Sequence, residues 1–471
     1  MGGNTVGIVG GGAAGMMAAI AAAESGARVT LLEGNDRLGK KILSTGNGKC
    51  NLGNEKLDLK EYYTGSPAFL ASCLERFGTA ETVSFFQGIG LMIKSRNGYL
   101  YPACEQASAV LDVLRYEVAA AGVEVVTDCK IERIGKNQRT GKIEVRGRDR
   151  VFSFHRVVLA CGGKAAPRTG SDGSGHELAR QLGHSLVSTV PALVQLKCRE
   201  EYLKSVAGVR ADAKLTVFRA GMPVAAERGE LQLTEQGISG IPVFQLSRVV
   251  NYILAGSGDS AAIRRASERK RRYREKFSAE EKVRTEEKVR AEEKVRTEEK
   301  VRTEERLRAE ESAPGAGVEV RMDFLPDFTE EDFRLLCARR KLLQGQRTVE
   351  EFFTGMLHKK LMLLFVRLAG LKTVEDIAVA DRKKVAEVYR LCRDWRVHVV
   401  GNNGYDSAQV CAGGVPLDEV TESLESRKVP GVYFAGEILD VDGKCGGYNL
   451  QWAWCSGYLA GCAAAAGRRE L

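Results

Sequence analysis

Thr5–Val9 is a short, mostly apolar run that meets three glycines and then Ala13–Glu24, a stretch that is small and apolar on nearly every face. A second apolar run, Arg28–Leu32, ends at an acid, Glu33. Strand, tight turn, helix and strand predict a β-α-β unit at the N-terminus. Gly39–Asn54, rich in Gly, Asn, Ser and Lys, reads as an ordered loop. The patterning then predicts a helix over Ser108–Ala121, strands over Glu124–Ile134, Lys142–Arg148 and Phe152–Ala160, a glycine-rich turn region over Gly162–Gly175, and a helix over Glu177–Gly183. From Val190 to Ser247 short alternating strands take over, such as Lys214–Arg219 and Gly229–Thr234. From Glu330 to Arg393 the period is helical, with helices expected at Phe333–Leu343, Val349–Leu368 and Thr373–Cys392, and a glycine-rich style returns at about Val397.

The expected organisation is an α/β nucleotide-binding domain made from both ends of the chain, 1–190 and 396–471. A β-rich module (191–262, with a return strand at 318–329) and a helical module (330–395) interrupt it, and a charged insertion occupies 263–317. Within that insertion a hexad, [AT]-E-E-K-V-R, recurs from Ala279 to Glu311. Six residues match neither a 3.5 nor a 3.6 period, so successive valines rotate around a helix and no apolar seam forms. Glu–Arg and Lys–Glu pairs at i,i+4 support a solvated, charge-stabilised helix, read as a surface excursion grown by repeat expansion.

Composition narrows the class. The chain has 471 residues, 44% of them apolar, which is enough for two or three domains with sizeable cores. Net charge is +9; residues 264–312 hold 18 basic and 14 acidic residues, and the remainder is only mildly basic, which argues against a nucleic-acid partner. Twelve scattered cysteines without a CxxC point to reduced thiols and away from a dithiol reductase. No basic n-region precedes the folded sequence, and the apolar stretch Ala13–Ala23 is about half a bilayer span, so the cytoplasm is the expected location and no membrane is expected as partner.

Four segments carry the chemistry. Gly10, Gly12 and Gly15 form G-x-G-x-x-G between a strand and a helix: a tight turn, a close backbone approach to a pyrophosphate, and close helix–strand packing, with the helix N-terminus presenting free N–H groups to phosphate. Glu33 follows 18 residues after Gly15, where a carboxylate accepts from ribose hydroxyls and repels a 2′-phosphate. Arg37–Asn51 joins cations to backbone-exposing glycines, which suits a diphosphate and a flavin edge. Val157–Gly163 is a buried strand running into paired glycines. In Gly431–Trp454 a strand ends in Ala-Gly-Glu, whose Glu437 can accept from ribityl hydroxyls, and a helix starts near Asn449 with its N-terminus available to the flavin pyrimidine ring. Together they point to FAD.

These segments resemble the BaiN-like family of bacterial and archaeal flavoproteins, described as NAD(P)/FAD-dependent oxidoreductases of the aminoacetone-oxidase type. The matching stretches are GGGAAG at 10–15, KKILSTGNGKCN at 40–51, TGSDGSGHELARQLGH at 169–184, GELQLTEQGISGIPVFQLS at 229–247, AGGV at 412–415 and AGEILDVDGKCGGYNLQWAWCSGYLAG at 435–461. The resemblance implies an FAD-binding Rossmann domain of the glutathione-reductase type, interrupted by a β-barrel-like module and a helical module. It implies FAD held at the first motif by residues matching Gly10, Gly12, Ala14, Gly15, Glu33 and Gly34. It places Lys41, Gly46, Gly48 and Asn51 in the basic loop, Ile131 and Gly162 beneath the cofactor, with Ile131 offering backbone contacts to adenine, and Gly436, Glu437, Asn449 and Leu450 at the last motif. Activity known in the family includes reduction of a conjugated double bond in a steroid-like bile-acid intermediate. The leading expectation is an NAD(P)H-driven reductase passing hydride through flavin N5 to a small-molecule C=C, with NADH or NADPH bound transiently, since no second G-x-G-x-x-G is present. The alternatives are an amine-type oxidase using oxygen, a flavoprotein acting on RNA, and a flavin-binding protein with a regulatory or structural role. Tyr448 and His398 are candidate proton donors by chemistry alone, and the catalytic residues stay open, as does oligomeric state. Cys445 and Cys455 stand where a hydroxyl residue is expected and read as inert buried thiols.

Overall fold

The computed structural model describes residues 4–256, 317–343 and 347–466. The hexad repeat and its basic flank at 264–276 lie outside them. The chain divides into two units, Met1–Ala192 with Gly404–Leu471, and Leu193–Asn403. Among the described residues no helix is long and apolar enough to cross a membrane.

The first unit is built on a parallel sheet in the order Val432–Phe434, Arg156–Leu159, Thr5–Val9, Arg28–Leu32, Glu124–Val126. Its central strands read as unbroken apolar runs because both faces are covered; Val6, Ile8, Val157, Val158 and Leu159 are fully buried. The helix Ala13–Glu24 has apolar residues all round because it is enclosed, with residues 14–22 buried. Part of its cover is the C-terminal helix Tyr448–Ala466. There Gly457 and Gly461, one turn apart, bring the two backbones together: a Cβ added to them would stand 2.5 Å from the Ala14 carbonyl oxygen and 2.4 Å from that of Ala18.

Two expected strands are each two strands. Glu124–Ile134 breaks into Glu124–Val126 of the parallel sheet and Ile131–Lys136 of a three-stranded antiparallel sheet. The break is tied down by Asp128, at φ +52°, and Cys129, whose N–H groups donate to the Asn35 and Glu33 carbonyls. Phe152–Ala160 likewise divides into Val151–Phe154 and Arg156–Leu159 at His155, whose N–H donates to Thr5 O and whose Nδ1 accepts from Thr5 N at 3.1 Å. Both pieces are apolar, so hydrophobicity gives no sign of the crossing between sheets.

The second unit holds a closed six-stranded barrel, in the order Leu196–Cys198, Gly237–Gly240, Met222–Thr234, Arg210–Arg219, Val318–Asp323, Trp395–Asn402. Alternate residues are buried, such as Ala213, Leu215 and Val217, and Val318, Val320 and Met322. The expectation of strands as far as Ser247 fails at Ile241–Leu254, which is a helix. Gly240 turns the chain at φ +102°, Pro242 sits in the first turn, and Val243, Leu246, Val250 and Ile253 follow helical spacing. The expected helix 349–368 breaks at Gly355, φ +86°, into Val349–Phe353 and Lys359–Leu368, and the one expected from Thr373 starts at Arg382, where Asp381 caps it by accepting from Lys383 N at 2.8 Å. Trp395–Asn402 completes the barrel, so the return to the first unit follows Asn403 and not residue 395.

Candidate functional site

The site is assembled at the C-terminal ends of the parallel strands of the first unit. Gly10 leaves the first strand at φ +102°, and a Cβ there would lie 2.5 Å from the Ala160 carbonyl oxygen. A Cβ on Gly15 would lie 1.8 Å from Gly10 O, so the third glycine of the motif is demanded by the turn itself. Gly12 differs: among the described residues nothing lies within 4 Å of where its Cβ would be. The helix that follows has no side-chain cap and no acid in its first turn. An uncapped first turn beside the open space at Gly12, at the positive end of the helix dipole, fits a pyrophosphate.

Glu33 closes the second strand, buried. Its Oε2 accepts from Gly11 N at 2.7 Å, and its Oε1 accepts from Asn35 N at 2.8 Å and Asn35 Nδ2 at 2.6 Å. Three of the roughly four acceptor positions of a carboxylate are thereby filled, leaving about one for a ribose hydroxyl. Gly34 lies against Lys130, and Ile131, buried, begins the neighbouring strand, so these three predicted residues share one edge.

Glu437 is the hub of a second cluster. Its Oε2 accepts from Lys41 Nζ at 2.7 Å and from Gly163 N at 3.3 Å; its Oε1 accepts from Cys411 N at 2.8 Å. Gly162, at φ +73°, and Gly436, at φ +78°, flank it. A Cβ on Gly436 would meet the Ala14 methyl at 2.8 Å, which joins the first motif to the last. The basic loop folds as a short 3₁₀ segment, Ile42–Gly48, in which Gly46, Asn47 and Gly48 are all left-handed. Asn51, in the orientation its neighbours require, donates to Gly53 O at 2.7 Å and accepts from Gly447 N at 3.3 Å. Asn449 donates to Gly443 O and accepts from Gly443 N, both at 2.8 Å. Both asparagines therefore brace the turn 443–447 through its backbone. Leu450 packs on the core of the unit.

The Tyr448 hydroxyl accepts from Asn54 Nδ2 at 3.3 Å and donates to Lys56 O at 3.4 Å, and Tyr62 donates to the Tyr448 carbonyl at 2.9 Å. Burial raises the Tyr448 phenol above its ordinary value. His398 is a residue of the second unit, on the barrel strand Trp395–Asn402, with Nδ1 2.8 Å from Glu200 Oε1. Burial pushes the thiols of Cys161, Cys411 and Cys445 up to about 12, so none is a thiolate at neutral pH. Cys455, fully buried, lies further still above the ordinary value.

Two features had no place in the sequence reading. His176, buried on the helix Ser174–Gln181, has an Nε2 with no hydrogen-bond partner among the described residues. His184 stands 2.7 Å from both Glu419 Oε2, through Nδ1, and Ser426 Oγ, through Nε2. This Ser-His-Glu array is not a nucleophile: Ser426 is buried and its Oγ already accepts from Lys428 N and Val429 N. It fastens the end of one helix to the 417–428 segment.

The family model described as "HI0933-like protein Rossmann domain" matches residues 4–463. A 3-dehydro-bile acid delta(4,6)-reductase of Clostridium scindens is 39% identical over 465 residues, 98% of this chain and 99% of that protein. A ribosomal RNA dihydrouridine synthase of Escherichia coli K12 is 27% identical over 459 residues, 96% of this chain and 95% of that one. Among solved structures, a 3-ketosteroid-delta4-(5alpha)-dehydrogenase of Rhodococcus jostii RHA1 is 15% identical, with a TM-score of 0.43 over 98% of this chain and 97% of the other. With a nearly full-length match to the family model and to the bile-acid reductase, the chain belongs to the HI0933-like family of FAD-binding Rossmann oxidoreductases.

Proposed function

We propose that this chain is an NAD(P)H-driven, FAD-dependent reductase of a carbon–carbon double bond conjugated to a carbonyl in a small molecule. The observation that carries the reading is the 39% identity to the bile-acid reductase over almost the whole of both chains. FAD, when bound, supplies a hydride acceptor and donor at flavin N5. The open first turn at Gly12 holds the pyrophosphate, and Glu33 takes a ribose hydroxyl. Glu437, fixed by Lys41 and two backbone N–H groups, presents a carboxylate to the ribityl chain. The acid-free first turn of Tyr448–Ala466 offers partial positive charge to the ring as it is reduced. Glycines 46 and 48 let the basic loop bring its backbone close to the cofactor.

The test is the visible spectrum of the purified protein under anaerobic conditions, before and after NADH or NADPH. A flavin spectrum that bleaches, and recovers on adding an enone or unsaturated steroid, is expected. A flavin that stays oxidised with both nucleotides sinks the reductase reading, and peroxide formed from an amine in air would favour an oxidase. A second reading, action on RNA, draws on the 27% relative and on the basic residues at 264–276. It requires RNA affinity that falls steeply with salt, and dihydrouridine as product.

A further inference from the structure

Gly436 links the strand Val432–Phe434 to Glu437 and sits at φ +78°. A glycine has the widest choice of backbone torsions, so the residue that precedes the hub of the second cluster has little conformational preference of its own. A stiffer residue does not fit, since a Cβ there would meet the Ala14 methyl at 2.8 Å. The two torsions of Gly436 are settled from outside instead. Each peptide unit is planar, so the directions of its N–H and its C=O fix the two planes on either side of its Cα.

Both groups are held by one helix, Tyr448–Ala466. The Gly436 N–H donates to Ser456 Oγ at 2.8 Å, and the Gly436 carbonyl accepts from Trp452 Nε1 at 3.2 Å. Trp452 and Ser456 are four positions apart, on the same face of the helix. Ser456 also donates to Trp452 O at 2.6 Å, which commits its hydrogen and leaves a lone pair for Gly436. Leu439 N reaches the same carbonyl at 3.2 Å, but that bond lies within the turn and travels with it. Trp452 is 1% exposed and Ser456 0%, so neither can touch a ligand; whatever they do for the site passes through Gly436. At the far end of Glu437, Lys41 and the N–H groups of Gly163 and Cys411 already occupy three acceptor positions, leaving about one. A single remaining lone pair serves a ligand only if the carboxylate is aimed.

We propose that Trp452 and Ser456 are positioning residues for the cofactor. By fixing the peptide planes on both sides of Gly436, they set the direction in which Glu437 offers its carboxylate to a ribityl hydroxyl of FAD. The inference rests on the reading above that places the ribityl chain at Glu437.

Apoprotein is titrated with FAD, following quenching of flavin fluorescence, and its melting temperature is measured without FAD. Ser456→Ala and Trp452→Phe should each weaken FAD binding on the order of five- to ten-fold, the worth of one lost hydrogen bond. In a Glu437→Ala background, where no carboxylate is left to aim, Ser456→Ala should cost little further affinity. FAD analogues lacking the 2′, 3′ or 4′ ribityl hydroxyl give the same cycle from the ligand side, and serve if Glu437→Ala does not fold. The analogue that wild type binds more weakly should lose little more in Ser456→Ala. Asn4→Ala is the structural control. It removes hydrogen bonds to Ala464 O and Ala465 O at the other end of the same helix, and should lower the melting temperature with FAD affinity within two-fold of wild type. FAD affinity unchanged in Ser456→Ala and Trp452→Phe overturns the proposal, as do losses that multiply in either cycle. An equal loss of affinity in Asn4→Ala also overturns it, since the effect is then one of helix stability. Glu437→Ala that binds FAD as wild type does fails the ribityl reading itself, and the inference with it; wild-type protein without any binding signal fails the cofactor reading.

Discussion

Gly461→Ala in the C-terminal helix puts two ordinary rules in opposition. In an exposed helix, alanine for glycine stabilises by about 1 kcal/mol, because glycine has more backbone entropy to lose. At Gly461, however, the new methyl would stand 2.4 Å from Ala18 O, 2.9 Å from Ala18 Cα and 3.0 Å from Ala18 C. Ordinary contact begins at about 3.4 Å, and all three atoms are backbone, so no rotamer change relieves the overlap. The helices must part by roughly 1 Å, which forfeits a quarter to a half of the dispersion energy along that seam. Overpacking costs up to about 3 kcal/mol, and subtracting the propensity gain leaves a net destabilisation of about 2 kcal/mol. Gly88→Ala is the control. Gly88 is exposed at the end of the helix Thr79–Gly88, with no described atom within 4 Å of its would-be Cβ, and its substitution should be neutral or mildly stabilising. Urea unfolding followed by tryptophan fluorescence, to which Trp452 and Trp454 of the same helix contribute, reads both. A Gly461→Ala midpoint at or above wild type, tracking Gly88→Ala, would refute the close-packing argument.

Gly12→Ala separates binding from folding: its Cβ meets nothing in the chain, so the apoprotein should melt within about 1 °C of wild type, while FAD affinity falls at least ten-fold because the methyl stands where the pyrophosphate must approach. Equal affinity for FAD would remove the pyrophosphate from this turn. The His184 network predicts loss of stability in acid, with both groups acting in the same direction. Burial depresses His184 from its ordinary 6.5 despite Glu419, so the folded state resists a proton the unfolded chain accepts, and stability falls as pH drops below about 6.5. Burial works to raise Glu419, but hydrogen bonds from Lys428, Ser185 and His184 outweigh it and hold the carboxyl at about 2, so its contribution is present above pH 4.5 and is lost as pH falls from there. Urea midpoints measured from pH 7 to pH 4 should fall throughout, and by less between pH 6.5 and 5 in His184→Asn; a midpoint that rises on acidification contradicts the assignment.

The N-terminal β-α-β unit was legible because each of its signals is local: a glycine where the backbone turns at positive φ, small residues where backbones touch, an acid at the strand end. The expected limits Thr5–Val9, Ala13–Glu24 and Arg28–Leu32 match the observed elements. The breaks at Asp128 and His155 were not legible, since partners distant in sequence set them, and the helix Ile241–Leu254 was hidden by a preceding run of genuine strands that biased the period. Within the site, residue types were readable and partners were not. Glu437 was marked as an acceptor, but nothing local says that Lys41 binds it from 396 positions away. Asn51 and Asn449 are expected as cofactor contacts, and no local signal told that their amides also hold a turn of the chain. His176 gave no signal beyond its place after a glycine-rich turn, because a lone histidine is ordinarily a satisfied one.

The strand order of the parallel sheet has a consequence for biosynthesis. Arg156–Leu159 is flanked by Thr5–Val9 on one side and by Val432–Phe434 on the other. When the ribosome has delivered the first four of these strands, the fifth is still about 270 residues away. At synthesis rates of 5–20 residues per second that is a delay of roughly 15–55 s. For all of that time the nascent chain presents an apolar strand with an unpaired edge, the template on which wrong pairings form. Pulse-labelled nascent chains halted before residue 432 should therefore be captured by chaperones, and released chains should not.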